Sequence, residues 1–206
     1  MPTQEELLAR LDVSRETRER LQIFHDLVVK WTGRINLISK SSIPDLWPRH
    51  ILDSVQVFRA GDAVDHWVDI GSGGGFPGLV VAICARVDWP DTRFTLIESD
   101  QRKAAFLRTA VRELGLSVTV LDQRIESAPP QAADILSARA LSDLAQLLVF
   151  VDRHLKPEGV ALFQKGASWR KEVDAAKRTW SFRYRAITSL TDEDAVILRI
   201  EGIAHG

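Results

Sequence analysis

The chain has 206 residues and a single cysteine, Cys84, so it cannot form an internal disulfide, which fits a reducing cytoplasm. Cys84 falls on the apolar face of an expected helix and reads as a small buried hydrophobe rather than a nucleophile. No apolar run approaches the roughly 20 residues of a membrane span. The start, MPTQEELLARL, is polar and acidic, without the cationic head and apolar middle of a secretion signal. Neither sign of charge is in excess: 27 Lys and Arg against 28 Asp and Glu give a formal net charge of -1. Proteins that grip long stretches of bare nucleic acid are usually more basic, so the balance points to a small substrate or to a local basic patch. The five histidines, His25, His50, His66, His154 and His205, are scattered without metal-ligand spacing, and no metal is expected. Repeats and low-complexity segments are missing as well. One domain with an appendage is the expected organisation, residues 1–62 being a helical extension and 63–206 the main domain.

What is present concentrates between Trp67 and Gly78, in WVDIGSGGGFPG. A short apolar run stops at a cluster of glycines, and a helical pattern follows from Leu79. Strand, glycine turn and helix in that order open a nucleotide site at the end of the first strand of a doubly wound sheet. Gly71, Gly73 and Gly75 allow a sharp turn and a close approach of ligand to backbone. Asp69 lies in the strand just before them, and a second strand, Phe94 to Ile97, ends in Glu98. Glu98 is placed to accept both hydroxyls of a ribose. Asp69 is placed to orient the backbone or to attract an ammonium group. No lysine follows the glycines, which excludes a P-loop. The run DIGSGGG resembles the E/D-x-G-x-G-x-G signature of methyltransferases that use S-adenosylmethionine, with a nicotinamide dinucleotide as the runner-up ligand.

Taken in order, the chain predicts a short helix from Thr3 to Leu11 and a longer one from an N-cap at Ser14 to about Trp31. A third helix starts near Pro44 or Trp47 and reaches Phe58. His50, Asp53 and Ser54, three or four residues apart, share one of its faces. One helical turn cannot build a Ser-His-Asp triad, so hydrolysis is not expected. Beyond the glycine turn a helix from Gln101 to Leu114 is closed by Gly115. Later strands are expected at Ser117–Leu121, Asp134–Leu136, Val160–Gln164, Phe182–Leu190 and Ala195–Glu201. A helix from Ser142 to Leu155 and a turn at Pro157–Glu158–Gly159 precede the fifth. The turn after strand three holds Ile125 and Glu126, plausible contacts for an adenine. Between Lys165 and Arg185 lie seven basic residues against Glu172 and Asp174, with Trp169, Trp180, Phe182 and Tyr184 interleaved. The aromatics suit a core, and the charges suit a polyanion.

Together these residues resemble the glucose-inhibited division protein B family, bacterial small-subunit ribosomal RNA methyltransferases that act on guanine N7. The resemblance spans nearly the whole chain. Asn36-Leu37 resembles its NL step, and Arg49-His50 with Asp53-Ser54 its RH-x-x-DS. Asp69 to Gly78 resembles its D-x-G-x-G-x-G-F/L-P-G loop. Arg102-Lys103 through Phe106-Leu107 resembles its KR-x-x-FL, Arg124 and Glu126 its R-x-E, Ser137-Arg139-Ala140 its S-x-RA, and Lys165-Gly166 its KG. Gln164 departs from the apolar residue common before KG. The resemblance implies an α/β, Rossmann-like class I S-adenosylmethionine-dependent methyltransferase. Its sheet would be mostly parallel and seven-stranded, with an antiparallel edge strand and an N-terminal helical extension. Cofactor contacts would be Gly71, Phe76, Ile125, Glu126 and Arg139, besides the Asp69, Gly73 and Glu98 read from the strand tips. Asn36, His50, Arg139 and Lys165 would border the reacting guanine or its phosphates. The expected partner is 16S rRNA or the small ribosomal subunit, met by a monomer in the cytoplasm.

The chemistry points the same way. No Asp/Asn-Pro-Pro-Tyr follows strand four to orient an exocyclic amine, and Cys84 is misplaced for attack on a cytosine. Guanine N7 carries a lone pair and no proton, so positioning can supply the rate without a general base. Arg139 or Lys165 would read O6, and the sequence does not choose between them. A small-molecule methyltransferase, or a binding module without catalysis, is the competing class.

Overall fold

The computed structural model describes residues 4–206, so Thr3, where the first helix was expected to begin, lies outside the described residues. Seven strands form the centre: β1 His66–Ile70, β2 Arg93–Ile97, β3 Val118–Leu121, β4 Ala133–Arg139, β5 Leu155–Lys165, β6 Trp180–Thr188 and β7 Val196–His205. Their order is β3-β2-β1-β4-β5-β7-β6. The first five pair in parallel, and β7 runs against both β5 and β6. Because β2 and β3 grow to one side of β1 and β4 to the other, the chain parts at the tips of β1 and β4. That divergence leaves a crevice at the carboxyl ends of the strands, where open α/β sheets bind ligands.

The helices are α1 Gln4–Arg10, α2 Arg15–Thr32, α3 Asp53–Ala60, α4 Gly78–Asp88, α5 Gln101–Glu113, α6 Leu144–His154 and α7 Trp169–Ala176. Local chemistry sets their starts. Ser14 accepts from Thr17 N at 3.2 Å, Asp100 from Arg102 N at 2.9 Å, and Asp143 from Gln146 N at 2.9 Å. One face of α2 buries Leu21, Phe24 and Val28 in the same cluster as Leu79, Val80 and Ile83, so the N-terminal helices share a core with the sheet. The helices α6 and α7 cover the opposite side. Cys84 is buried, and burial pushes its thiol up to about 12. Among the described residues no helix is long and apolar enough to cross a membrane.

Several boundaries differ from the sequence expectation: β6 covers Trp180–Thr188 rather than Phe182–Leu190, and β7 runs on to His205 rather than ending at Glu201. The helix expected from Pro44 or Trp47 opens as a wide π turn, Trp47–Leu52, before α3. Strand β4 runs on through Ser137 to Arg139. The turn expected at Pro157–Gly159 is absorbed into β5: Ala133 faces Leu155 and Ile135 faces Val160, so the surplus residues bulge out of the pairing.

Under the glycine turn runs a buried chain of side chains. Trp67 Nε1 donates to Ser137 Oγ at 2.9 Å, and Ser137 Oγ donates to Asp69 Oδ1 at 2.6 Å. These bonds tie β1 to β4 at the point where the sheet changes direction. Asp69 is completely buried; burial pushes its carboxyl up to about 7, even though the Ser137 hydrogen bond works downward. Helix α4 begins hard against it, since a Cβ on Gly78 would lie 2.5 Å from Leu96 Cδ2 and 2.7 Å from Asp69 Cβ.

Ser137→Ala strands the Trp67 N–H and one Asp69 oxygen, and is expected to cost about 1–3 kcal/mol in urea denaturation. The native state keeps the Asp69 proton between about pH 4 and pH 7 while the unfolded chain releases it. Its stabilising effect is therefore complete at low pH and is lost as pH rises through about 7. Relative to Asp69→Asn, the parent should lose up to about 1.4 kcal/mol per pH unit across that window. Parallel pH profiles of the two proteins would contradict this.

Candidate functional site

Beyond Ile70 the backbone enters the left-handed region at Gly71, Gly73 and Gly75, with φ of 63°, 54° and 91°. The turn folds back over β2: Gly71 N and Ser72 N both donate to Ile97 O, at 2.9 and 3.2 Å. Glu98 then holds it, one oxygen accepting from Gly73 N at 2.8 Å and the other from Asp100 N at 2.7 Å. Each oxygen keeps a second lone pair, so the carboxylate can still accept two ribose hydroxyls. Asp69, by contrast, lies beneath the turn and is not open to the crevice; a direct contact with an ammonium group does not fit its burial. Phe76 is also covered, its ring 5.3 Å from that of Phe24 and 5.2 Å from that of His50. Its place is behind the loop, where it joins the glycine turn to the N-terminal helices.

Three further elements border the crevice. Leu37 packs on the loop, its carbonyl 3.3 Å from where a Gly74 Cβ would stand, which brings exposed Asn36 alongside. The turn after β3 presents an exposed Glu126, while Ile125 is covered and its carbonyl accepts from His154 Nε2 at 2.9 Å. Leu141, which the sequence reading missed, lies against Gly71, 2.6 Å from the position of a Cβ there. It follows Ala140, a non-glycine residue at φ 46°. The left-handed glycines, the acid at the tip of β2 and the 125–126 turn together suit S-adenosylmethionine, with Leu141 as a cover on the glycine side.

Next to the crevice opens a pocket of about 1060 Å³, and it brings His50, Arg139 and Lys165 together. Asn36 is not in its wall. Burial, with help from the Arg139 and Arg49 charges, pushes the His50 imidazole down to about 4, so it is neutral at physiological pH. Arg139 donates through Nη2 to Arg49 O at 2.8 Å, whereas its buried Nη1 has no partner among the described residues. Burial lowers the Arg139 pKa and the nearby Asp53 carboxylate works against that. Asp53 is itself raised by burial, and Arg139 and a 3.2 Å hydrogen bond from Ser189 hold it down. Gln164 also donates to Asp53, which gives the residue that departs from the family pattern a partner.

Lys165 is differently placed. Its side chain is only 8% exposed, and Nζ lies 2.7 Å from Glu172 Oε2 and donates to Ser142 O at 2.6 Å. Glu172 also accepts from Leu144 N and Ser168 Oγ, at 3.1 and 2.8 Å. Its carboxyl is pushed up by burial, but the hydrogen bonds from Lys165 and Ser168 outweigh that and leave it lowered. Glu172 thus fixes both Lys165 and the loop carrying Leu141, a role hinted at by an acid inside a basic run. The run itself is not one patch. Arg170 stacks on buried Trp169 at 4.3 Å and Lys177 sits 5.0 Å over Tyr184, while Arg183 and Arg185 point to the other face of β6.

The family profile described as "rRNA small subunit methyltransferase G" matches residues 17–196. A protein of that name from Ruegeria pomeroyi is 60% identical over 195 residues, covering 95% of this chain and 96% of its own. Another from Cereibacter sphaeroides is 52% identical over 203 residues, 98% of each. Among solved structures, a SAM-dependent methyltransferase from Aquifex aeolicus superposes with a TM-score of 0.58 at 15% identity, covering 77% of this chain and 92% of that one. M. jannaschii TYW2 in complex with AdoMet gives 0.59 at 12%, covering 84% and 78%. These two share the fold, a class I methyltransferase sheet with helices on both sides. At such identity over almost the whole length, the chain belongs to the rRNA small subunit methyltransferase G family.

Proposed function

We infer that this protein transfers a methyl group from S-adenosylmethionine to N7 of a guanine in the 16S rRNA of the small ribosomal subunit. The observation that carries the reading, beside family membership, is the pocket next to the glycine crevice with Arg139 in its wall, one guanidinium nitrogen buried just behind the surface without a partner. When bound, S-adenosylmethionine supplies an electrophilic methyl group. Gly71, Gly73, Glu98 and the Ile125–Glu126 turn would hold it, with Asp69 acting from below through the strand rather than by contact. Guanine N7 attacks with its own in-plane lone pair, so no proton has to be removed and the residues act by placing the ring. N7 and O6 are both acceptors on one edge. Arg139 Nη1 is a donor without a partner and suits O6; Lys165, engaged by Glu172 and Ser142, suits the role of fixing the 140–144 loop. Neutral His50 packs on Phe76 and adds no positive charge to the pocket. Asn36, exposed beside Leu37 and outside the pocket wall, would reach the substrate only at its phosphate.

The reading extends to setting. The edge strand β6 carries Arg183 and Arg185, and exposed charges on a sheet edge discourage pairing with a second copy. A monomer working in the cytoplasm on ribosomal RNA is the organisation we propose.

Labelled S-adenosylmethionine incubated with undermethylated small subunits should deliver its methyl to a single guanine, mapped by cleavage at 7-methylguanine; label in the protein-free fraction alone would point to a small-molecule substrate. Arg139→Ala should lower kcat about 10²–10³-fold, as loss of a charge-directed donor does. Lys165→Met should act more mildly and mainly on KM. The reverse order would exchange the two roles. Because His50 is neutral above about 4, His50→Gln should lower the rate without changing the shape of the pH profile above about pH 5. An inflection near the ordinary histidine value that this variant abolishes would show that the ring titrates normally.

A further inference from the structure

On the side of the β6–β7 hairpin that faces α3 runs a groove of about 470 Å³. Its wall holds four arginines, Arg59, Arg183, Arg185 and Arg199, against two carboxylates, Asp62 and Glu201. Both carboxylates are engaged: Arg199 donates to Glu201 Oε1 and to Asp62 Oδ2, each at 3.0 Å, and to Ala60 O at 2.8 Å. Arg59 is held by the carbonyls of Leu11 and Asp12, and lies 3.7 Å from Asp88. Arg183 and Arg185 are exposed and have neither hydrogen bond nor ion pair among the described residues. Arg185 stands directly opposite Arg199 in the antiparallel ladder, and Arg183 opposite Glu201, whose carboxylate turns to Arg199 instead. Like charges facing each other across two strands destabilise a sheet. Two free guanidiniums on one groove wall, one of them facing a like charge at a cost to the fold, mark a surface arranged for an external anion.

Position names the anion. Gln164 in the wall of the pocket pairs with Ile197, and Arg199 lies two residues further along β7 on the same face, roughly 7 Å at the rise of a strand. Both border α3: Leu52 and Asp53 at its start line the pocket, and Arg59 and Ala60 at its end line the groove. The turn Asp192–Asp194 rims the pocket with acids and repels a polyanion passing over the hairpin tip. We propose that the groove is a docking track for the phosphate backbone of the RNA strand that carries the target base. Arg183 and Arg185 grip phosphates beside that base while it occupies the pocket. Guanidinium groups suit this task because their planar forks match phosphate oxygens two at a time. The inference rests on RNA being the substrate.

The test separates docking from folding and from chemistry. Arg185→Glu sets a carboxylate across from Arg199, so its Tm should equal or exceed that of the parent. With undermethylated small subunits its KM should rise about tenfold or more, with kcat within about twofold and S-adenosylmethionine affinity by calorimetry unchanged. Arg183→Ala with Arg185→Ala should weaken binding to protein-free small-subunit rRNA and reduce the salt slope of that affinity by about 1.4, two single-strand contacts' worth. Unchanged KM and salt slope, beside a parent that methylates the subunit, would overturn the track and leave the activity standing. A parent that methylates no ribosomal RNA would remove both. A rise in KM on subunits without any change in affinity for free rRNA would assign the groove to an acidic ribosomal protein and overturn the RNA track.

Discussion

A protonatable carboxyl buried beneath a glycine turn is the constraint on which the crevice depends. Asp69 cannot reach solvent, yet it lies between β1, the start of α4 and Ser137 of β4. Desolvating a carboxylate there is expensive, so the group holds a proton to about pH 7 or leans on Ser137. In return the two strands whose tips separate are locked in register, and Trp67 closes the chain from the other end. The glycine turn then leaves β1 from a fixed point. Glu98 then catches the Gly73 N–H and sets the loop against the tip of β2.

Much of this was legible in the sequence, because much of it is local. The Ser14 cap acts on an amide three residues away, and the period of apolar residues marks α2 and α5 directly. The strand–glycine–helix order at Asp69 to Gly78 fixed the architecture, since only a parallel sheet with crossover helices uses it this way. The relation between Lys165 and Glu172 was not legible. It is seven residues long in sequence, but it depends on α7 packing over the end of β5 and on Ser142 from a third element. Leu141 over Gly71 is of the same kind, a contact made by a loop whose path follows from the tip of β4. The basic run was read as one patch because a composition window does not distinguish the faces of a strand. Alternation about β6, with Tyr184 toward α7 and its neighbours Arg183 and Arg185 away, was available from the period of two and separates the charges.

The Lys165 result changes what a lysine at a strand tip signifies. A flexible ammonium in a reactive pocket suggests contact with substrate, and its type alone supports that. Yet a side chain 8% exposed, with two acceptors already in place, has its freedom removed. In the proposed reaction such a group would act by holding the peptide that covers the substrate. Arg139 shows the opposite pattern: one amino group anchors it to Arg49 O and the other is buried without an acceptor, which costs free energy until something supplies one.

Charge in the pocket follows the same logic. Alkylation at N7 leaves the purine cationic, so any positive group nearby opposes the product as it forms. Burial and the flanking arginines keep His50 neutral, which removes one such group. Arg139 cannot be neutralised in that way, and the proposed reaction would use it as a donor. Asp53 answers the difficulty: it is held close enough for Arg139 to lower its pKa against its own burial, and Gln164 and Ser189 orient it. The arginine then offers a directed N–H while its net field on the ring is offset by the carboxylate behind it. A donor with a balanced charge would suit the proposed reaction, which ends in a cation, and on that reading Asp53, Arg139 and His50 form one device although they come from two distant stretches of the chain.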